Sequence, residues 1–485
     1  DFLPSVLPAW DGQFNHDAAG GLVGALKAVR CASKVWARGK RATPTLHSNC
    51  KFVIYMLDVF EETRTLSAGE QLLRKECQNR LSLSIRERAA YWKQRGKVRA
   101  IREGDSNTNF FHAHATQRLR RNQIRAIEID GAIVTSHVAK TVALTSHLSN
   151  LLGVRHQTVW DFDVQALYAG TPKVNNDPLV APFTDLEAQT AVKSMNRTSS
   201  PGPDGFGPSF YTAAWSTVAP RVQRFATSFQ ARDADLERIN RSYIVMLPKH
   251  ATALRPGDYR PICLQNCSLK IVAKMLTSRL QQELPKLIDI DQTGFLRGRS
   301  IAENFIYAME LVQCCHQRKI PTLVLKLDFA KAFDSVDWDS LVCILQARGF
   351  SELWCSWIMD LLTTSKSAVL VNGVPGPWFS CKRGLRQGDP LSPYLFLIIA
   401  DVLQQLIKHS GGVRHPIDTN LACPILQYAD DTLLLLPANR LDLENLKHLL
   451  DMFSLATGLG INYHKSTIVP MHVSETDAAE LANIM

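Results

Sequence analysis

The tetrapeptide Tyr428-Ala429-Asp430-Asp431 lies between two apolar runs, Ile425-Leu426-Gln427 and residues 432–436. A strand, a turn and a second strand would place two carboxylates at one tip, where like charges repel and raise a pKa unless a cation lies between them. A polar turn between core strands is the alternative, because Asp suits turns. A third acid, Asp328, ends another apolar run at residues 323–327. Three carboxylates on neighbouring strands suit two Mg²⁺ ions that align a triphosphate with an attacking hydroxyl, and we interpret the acids as this site.

Length and composition limit the class of protein. The 485 residues suffice for two to four domains, and the hydrophobic and charged fractions, 46% and 21%, are typical of soluble globular proteins. No apolar run is long enough to span a membrane and no signal peptide is visible, so we expect no membrane partner. The first residue is Asp, which indicates a fragment of a longer polypeptide. Eleven scattered cysteines without a paired framework indicate reduced thiols in an intracellular protein.

Positive charge is concentrated in one segment. Residues 80–125 contain twelve Lys and Arg against three acids, and this net charge of +9 is nearly the whole +10 of the chain. Such a segment is typical of a contact with a phosphate backbone. A solvated helix face is the alternative.

Local patterns predict helices and hairpins in an order typical of an α+β protein. Turn signals at Asp130-Gly131 and Asn372-Gly373 predict two further hairpins. Ser392 is expected to cap a long helix that reaches about residue 409, with Pro393 at its first position. We interpret residues 172–182 as a linker. Periodicity predicts helices at residues 22–36, without a core of its own, 52–102 with a break at 67–69, 269–284, and 338–348 ending at Gly349.

Several motifs together resemble the reverse transcriptase of non-LTR (LINE-type) retrotransposons, and the resemblance covers essentially the whole chain. It implies a right-hand polymerase with fingers and an antiparallel palm sheet, preceded by a mostly helical basic region. The motifs, in chain order, are Ser200-Pro201-Gly202-Pro203-Asp204-Gly205, Tyr259-Arg260-Pro261-Ile262, Gln292-Thr293-Gly294-Phe295 with Gly298-Arg299, Leu327-Asp328-Phe329-Ala330-Lys331-Ala332-Phe333-Asp334, Arg386-Gln387-Gly388-Asp389-Pro390-Leu391-Ser392-Pro393, Tyr428-Ala429-Asp430-Asp431 and Asn462-Tyr463-His464-Lys465-Ser466.

The resemblance implies catalytic and metal-binding roles. Asp328, Asp430 and Asp431 would hold two Mg²⁺ ions, or Mn²⁺ in their place, and Phe329 is included among the metal ligands. One ion would lower the pKa of the primer 3′-hydroxyl, and the other would neutralise the triphosphate and the leaving pyrophosphate. Lys465 would donate a proton to the leaving pyrophosphate.

It also implies residues that bind the nucleotide. Phe333 would lie under the incoming sugar and collide with a 2′-hydroxyl, and a core aromatic is the alternative. Gln387 precedes a glycine, which leaves room for a close backbone approach to the nucleotide. Arg260 and Lys249 would bind the triphosphate, as a bidentate fork and a point charge, and surface cations are the alternative.

In the first half, Gly104-Asp105-Ser106-Asn107-Thr108-Asn109-Phe110-Phe111-His112 resembles the family's segment between endonuclease and polymerase. Beyond it, Arg118, Arg120 and Arg121 would bind RNA phosphates and the Phe111 ring would stack on bases. The expected division is residues 1–45 as the trailing edge of a truncated endonuclease, 46–180 as a helical basic linker region with a small hairpin, and 181–485 as fingers and palm with the thumb largely missing.

The activity implied is RNA-directed DNA polymerisation, with template RNA, primer DNA and deoxynucleoside triphosphates as partners, in the cytoplasm and nucleus. A degenerate element that binds nucleic acid without polymerising is one alternative. A group II intron maturase-type reverse transcriptase, which shares the palm, is the other.

Overall fold

A computed structural model describes residues 2–12, 17–40, 43–96 and 108–485 of the chain. Residues 104–107 of the family-like segment from Gly104 to His112 lie outside these ranges. The strands are β1 (Ile127–Ile129), β2 (Ala132–Val134), β3 (Arg241–Pro248), β4 (Tyr259–Gln265), β5 (Thr322–Leu327), β6 (Lys366–Val371), β7 (Val374–Ser380), β8 (Ile425–Tyr428), β9 (Asp431–Pro437) and β10 (Thr467–Met471).

Helices surround these strands, and the mixed α+β class is confirmed. Short 3₁₀ helices occur at Leu7–Asp11, Leu236–Arg238 and Pro256–Asp258. The α-helices are α1 (Phe2–Val6), α2 (Ala18–Lys40), α3 (Thr43–Thr63), α4 (Ala68–Gly96), α5 (Thr108–Asn122), α6 (His137–Leu152), α7 (Val164–Leu167), α8 (Asp177–Val180), α9 (Asp185–Ser194), α10 (Pro208–Ala213), α11 (Trp215–Gln230), α12 (Cys267–Leu287), α13 (Ile301–Gln317), α14 (Ala332–Ser335), α15 (Trp338–Ala347), α16 (Glu352–Thr363), α17 (Ser392–Ser410), α18 (Arg440–Thr457) and α19 (Glu475–Ala482).

The first sheet, here called the acidic sheet, is antiparallel with strand order β10-β5-β9-β8. Its side chains alternate between two apolar layers, as the period of a strand requires. Leu434 and Leu436 join the main core, whereas Leu435 lies in a smaller cluster with Leu311 and Cys315 of α13. Both faces are therefore covered, and the predicted hairpin that carries the paired aspartates is confirmed.

The second sheet has the order β4-β3-β6-β7, with β3 parallel to β6 and the other pairs antiparallel. Both predicted hairpin turns are confirmed. Asp130 and Gly131 have φ angles of +49° and +80°, and Asn372 and Gly373 have +50° and +89°. Positive φ at both central residues is the requirement of a type I′ turn.

The N-terminal helices pack on the rest of the chain. The helix predicted at residues 22–36 forms the central part of the longer α2. Its buried Leu22 and Leu26 belong to the main core together with Phe225 of α11. The helix predicted at residues 52–102 is broken slightly before the predicted position, because α3 ends at Thr63 and α4 begins at Ala68, so residues 64–67 separate them and not 67–69. Residues 97–102 of that predicted helix lie outside the described ranges. The division of the chain at residues 45 and 180 stays a prediction.

Two local predictions are wrong. Residues 172–182 are not an open linker, because they contain α8 with a fully buried Leu179 and because the Arg279 guanidinium donates hydrogen bonds of 2.6–3.1 Å to three of their carbonyl groups. Ser392 is the first residue of α17 and not its cap. The Asp389 carboxylate accepts from the Leu391 and Ser392 amides instead, at 2.8 and 3.2 Å.

The helix at 338–348 is confirmed to within one residue, since α15 ends at Ala347, and Gly349 with φ +86° follows its C-terminal cap Arg348. Helix α12 is longer than predicted. All eleven cysteines are free thiols. Within the described ranges, no helix has the length and apolarity that a membrane span requires.

Candidate active site

Pairing in the acidic sheet brings the predicted aspartates to one edge. Leu327 of β5 lies opposite Thr432 of β9, so Asp328, the next residue after β5, adjoins the turn between β8 and β9. The Asp328 backbone is held on the other side by the segment that precedes β10, because its amide donates to the Ser466 hydroxyl at 3.1 Å and its carbonyl accepts from the Asn462 amide at 2.7 Å.

A cleft of about 680 Å³ opens at this edge, between the acidic sheet, the second sheet and α6. It unites side chains that are far apart in the sequence. Most of the predicted site residues line it, namely Asp328, Asp430, Phe329, Phe333, Gln387, Arg260, Lys249 and Lys465.

Asp431 is the predicted acid that does not line this cleft. Its carboxylate lies 3.6 Å from the Lys326 ammonium, and 70% of its side chain is exposed. An exposed pair of this kind contributes at most about 1 kcal/mol. The contact with Lys326 therefore holds Asp431 only weakly.

The electrostatic state of the site is seen at Asp430. Burial of its carboxyl raises the pKa of Asp430, and the neighbouring carboxylates of Asp431 and Asp328 raise it further. The three acids thus lie within electrostatic reach of one another. In the part of the chain that the structure describes, no group of three or more His, Cys, Asp or Glu converges with metal-binding geometry. Phe329 has only a backbone carbonyl to offer a metal, because its buried ring has no N, O or S atom.

Phe333 and Gln387 lie on one wall of the cleft. The half-buried Phe333 ring stacks on Phe396, with centroids 4.8 Å apart and planes inclined by 13°. The Gln387 amide nitrogen donates to the Asp334 carboxylate at 3.4 Å. Gly388 has φ +102°, and an added Cβ would lie 3.1 Å from a backbone oxygen of β4, so a glycine is needed for this close approach.

Cations also line the cleft. Lys249 faces Lys465, Arg260 and Lys331, and its pKa is lowered first by burial and then by these three positive charges. Cations that face one another across a cleft repel, so an anion between them is stabilising. The arrangement suits a polyphosphate.

Several charged cleft residues were not predicted from the sequence, Lys331 and Asp334 among them. Lys331 caps α14 in a left-handed conformation with φ +52°, and burial lowers its pKa. Asp334 is 7% exposed, and burial raises its pKa to about 6 against the opposing charge of Lys331. Both lie in a motif quoted for the resemblance, but nothing in their residue types indicates that they face the cleft.

The basic segment has a concave surface of its own. Arg118, Arg120 and Arg121 of α5 are exposed, and the last two line a depression of about 510 Å³ with Arg125 and the loop after β3. The expected stacking of Phe111 on bases is wrong, because its ring is only 3% exposed.

The chain is similar in sequence to known proteins. Residues 247–475 match the family described as reverse transcriptase (RNA-dependent DNA polymerase), and this range includes the cleft residues from Lys249 to Lys465. The chain is 28% identical over 381 residues to an uncharacterized 149 kDa protein of transposon TX1 from Xenopus laevis, a match that covers 77% of this chain and 29% of that protein.

Two Pol polyproteins from R2 retrotransposable elements are also similar. The one from Nasonia vitripennis is 28% identical over 245 residues, which are 50% of this chain and 23% of that protein. The one from Drosophila melanogaster is 29% identical over 281 residues, which are 58% of this chain and 26% of that protein. The chain therefore spans less than a third of the length of each of these relatives.

Proposed function

Because the chain contains a reverse transcriptase domain related to the Pol proteins of non-LTR retrotransposons, we propose that it extends a DNA primer on an RNA template with deoxynucleotides. The observation that carries this proposal is a cleft lined by Asp328 and Asp430 together with the cations Lys249, Arg260, Lys331, Arg386 and Lys465. Acids for a metal and cations for a triphosphate are the two charge groups that nucleotidyl transfer needs.

The aspartates fit a hard divalent cation. Carboxylate oxygens are the ligands of Mg²⁺ and Mn²⁺, and a bound cation would offset both the burial of the Asp430 carboxyl and the charges of Asp431 and Asp328, which together raise the pKa of Asp430. Asp328 and Asp430 would hold the ion, and Asp431 would join them by giving up its exposed ion pair with Lys326. When bound, such an ion lowers the pKa of a hydroxyl and neutralises phosphate charge.

The remaining cleft residues bind and orient the substrates in this proposal. Lys249 and Arg260 bind the phosphates of the incoming nucleotide, and Lys465 lies on the same side to protonate the leaving pyrophosphate. Phe333 limits the space under the sugar. Gln387, oriented by its hydrogen bond to Asp334, contacts the nucleotide from the adjacent loop.

The relatives reported above come from transposable elements, which favours the retrotransposon reading over a group II intron maturase-type enzyme. The exposed position of Asp431 is the observation that keeps a binding-only remnant as the second candidate. The two differ in one measurement, since a remnant binds primed RNA but does not extend the primer.

The test is Asp430→Asn in a primer-extension assay with Mg²⁺. The change removes one charge at nearly constant size, so extension should fall by several orders of magnitude. Stability should be unchanged or slightly higher, because repulsion among the acids is relieved. Asp451→Asn is the matched control, since Asp451 is exposed on α18, outside the cleft, and this variant should extend at the parental rate.

If Asp430→Asn extends primers as fast as the parent, the site assignment is wrong. If the parent binds primed RNA with no extension at any Mg²⁺ or Mn²⁺ concentration, the binding-only candidate replaces the polymerase.

A further inference from the structure

The turn that carries Asp430 has an unusual backbone. Ala429, immediately before Asp430, is buried and has φ +57°, the left-handed region that residues with a Cβ rarely adopt. Such a conformation persists only where the surroundings hold it in place. The carboxylate of Asp430 is one residue away, so whatever holds Ala429 also determines where this carboxylate points.

A single side chain satisfies both backbone groups of Ala429. The Gln292 side-chain oxygen accepts from the Ala429 amide at 2.8 Å, and the Gln292 side-chain nitrogen donates to the Ala429 carbonyl at 3.1 Å. The same oxygen also accepts from the Gly294 amide at 2.9 Å. The amide group of Gln292 therefore binds the turn as the backbone of a neighbouring strand would.

Gln292 is itself held rigidly. It is fully buried, and the segment around it runs parallel to β8. The Gln427 amide donates to the Asp291 carbonyl and the Thr293 amide donates to the Gln427 carbonyl, both at 2.9 Å. The Gln292 side chain can hold the turn in place only if its own backbone is held to the same sheet. These two hydrogen bonds attach the Gln292 segment to β8.

Gly294, two residues after Gln292, also packs closely against Ala429. A Cβ added to Gly294 would lie 2.4 Å from the Ala429 amide nitrogen, which is far inside any normal contact. Gly294 does not have a positive φ, so its requirement for glycine is steric and concerns the turn.

We propose that Gln292 is a positioning residue for the catalytic turn, which directs the Asp430 carboxylate into the cleft by holding Ala429 in the left-handed conformation. This inference rests on the proposed function, because it assigns Gln292 to the same site. Gln292 does not touch the cleft, so it acts through the turn and not on the substrate.

The variant is Gln292→Met, which keeps the length of the side chain and removes its hydrogen bonds to Ala429, together with the one from the Gly294 amide. Gln404→Met is the matched control. Gln404 is equally buried and donates to the Ile425 carbonyl of β8 at 2.9 Å, but it does not reach the turn. Both variants leave polar groups unsatisfied in the core, so both should lose stability, and Gln292→Met should lose more because it removes the partner of three backbone groups where Gln404→Met removes the partner of one.

Hydrogen exchange gives a readout that does not depend on activity. In Gln292→Met the Ala429 amide should exchange at least about tenfold faster than in the parent and in Gln404→Met, because its acceptor is gone. Mn²⁺ titrated into the metal-free protein should bind more weakly in Gln292→Met alone. Equal exchange at Ala429 in the two variants would overturn the proposal, whether or not the parent polymerises.

Primer extension supplies the second readout. A displaced carboxylate should lower kcat by about ten- to a hundredfold, the range for a group misplaced by about 1 Å, with the KM for deoxynucleotide within about twofold of the parent. A variant that loses only stability would show parental kcat below its melting temperature, which contradicts the inference.

Gly294→Ala is the second variant in case Gln292→Met does not fold. Its added methyl group pushes on the same turn with the Gln292 amide intact, so we expect the same fall in kcat. A parental kcat in Gly294→Ala would count against the proposal. If the parent itself shows no extension, the proposed function fails, and the exchange and Mn²⁺ measurements still decide the role of Gln292.

Discussion

Phe333 is expected to make the enzyme select deoxynucleotides over ribonucleotides, and this prediction can be separated from a role of the ring in packing. Phe333 lies on α14 with one face on Phe396 and the other toward the cleft. The ring therefore contributes to stability through one face, and in our proposal it excludes a 2′-hydroxyl with the other. Shortening it to Phe333→Val or Phe333→Ala changes both properties, and their sizes can be worked out separately.

The cost in stability follows from the half-buried position. A fully buried Phe→Ala change costs about 3–5 kcal/mol, and a stacked aromatic pair adds about 0.5–1.5 kcal/mol. Because the Phe333 side chain is only partly buried, we expect a loss of roughly 2–3 kcal/mol for Phe333→Ala. Phe333→Val retains part of the side chain and should lose less.

The effect on selection is independent of that cost. Removing a contact the size of one or two heavy atoms is worth about 1–3 kcal/mol of discrimination, so the efficiency of ribonucleotide relative to deoxynucleotide incorporation should rise by about tenfold or more. The assay is single-nucleotide extension with each sugar, below the melting temperature of every variant.

Phe396→Leu provides the control. Phe396 is fully buried behind Phe333 and does not line the cleft, so this variant should lose stability and keep the parental sugar preference. If Phe333→Val lowers stability while its sugar preference stays parental, the ring is a packing residue and the reasoning is refuted.

Two further predictions concern charge. Neutralising Arg118, Arg120 and Arg121 together should weaken RNA binding irrespective of sequence and reduce the salt slope by roughly 0.7–0.9 per lost phosphate contact. Binding measured at several salt concentrations tests this, and an unchanged affinity and slope would leave α5 as a solvated face. The second prediction concerns Asp334, whose pKa burial raises from 3.8 to about 6. The folded chain therefore binds this proton more tightly than the unfolded chain, so the group's contribution to stability is greatest below pH 4 and is lost as the pH rises through about 6. Asp334→Asn should gain stability relative to the parent between pH 4 and 6 and hold that gain above, as measured by denaturant unfolding, and a difference independent of pH would contradict it.

The sequence by itself determined the elements whose causes are local. The turns at Asp130-Gly131 and Asn372-Gly373 follow from residues that tolerate positive φ, and the end of α15 follows from Gly349. The strands that carry Asp328 and Asp430 follow from short apolar runs bounded by acids. Dihedral preference and side-chain period act within a few residues, which is why these features were predicted correctly.

Only the tertiary structure decided which face of an element meets which partner. Phe111 was expected to stack on bases and is buried, and residues 172–182 pack on Arg279 where a linker was expected. The partner of Gln292 is a backbone 137 positions away, and nothing near Gln292 in the sequence indicates it. Burial and strand pairing depend on surfaces that come from distant parts of the chain. A contact is favourable only when both partners are in place, so the sequence around one residue does not predict its partner.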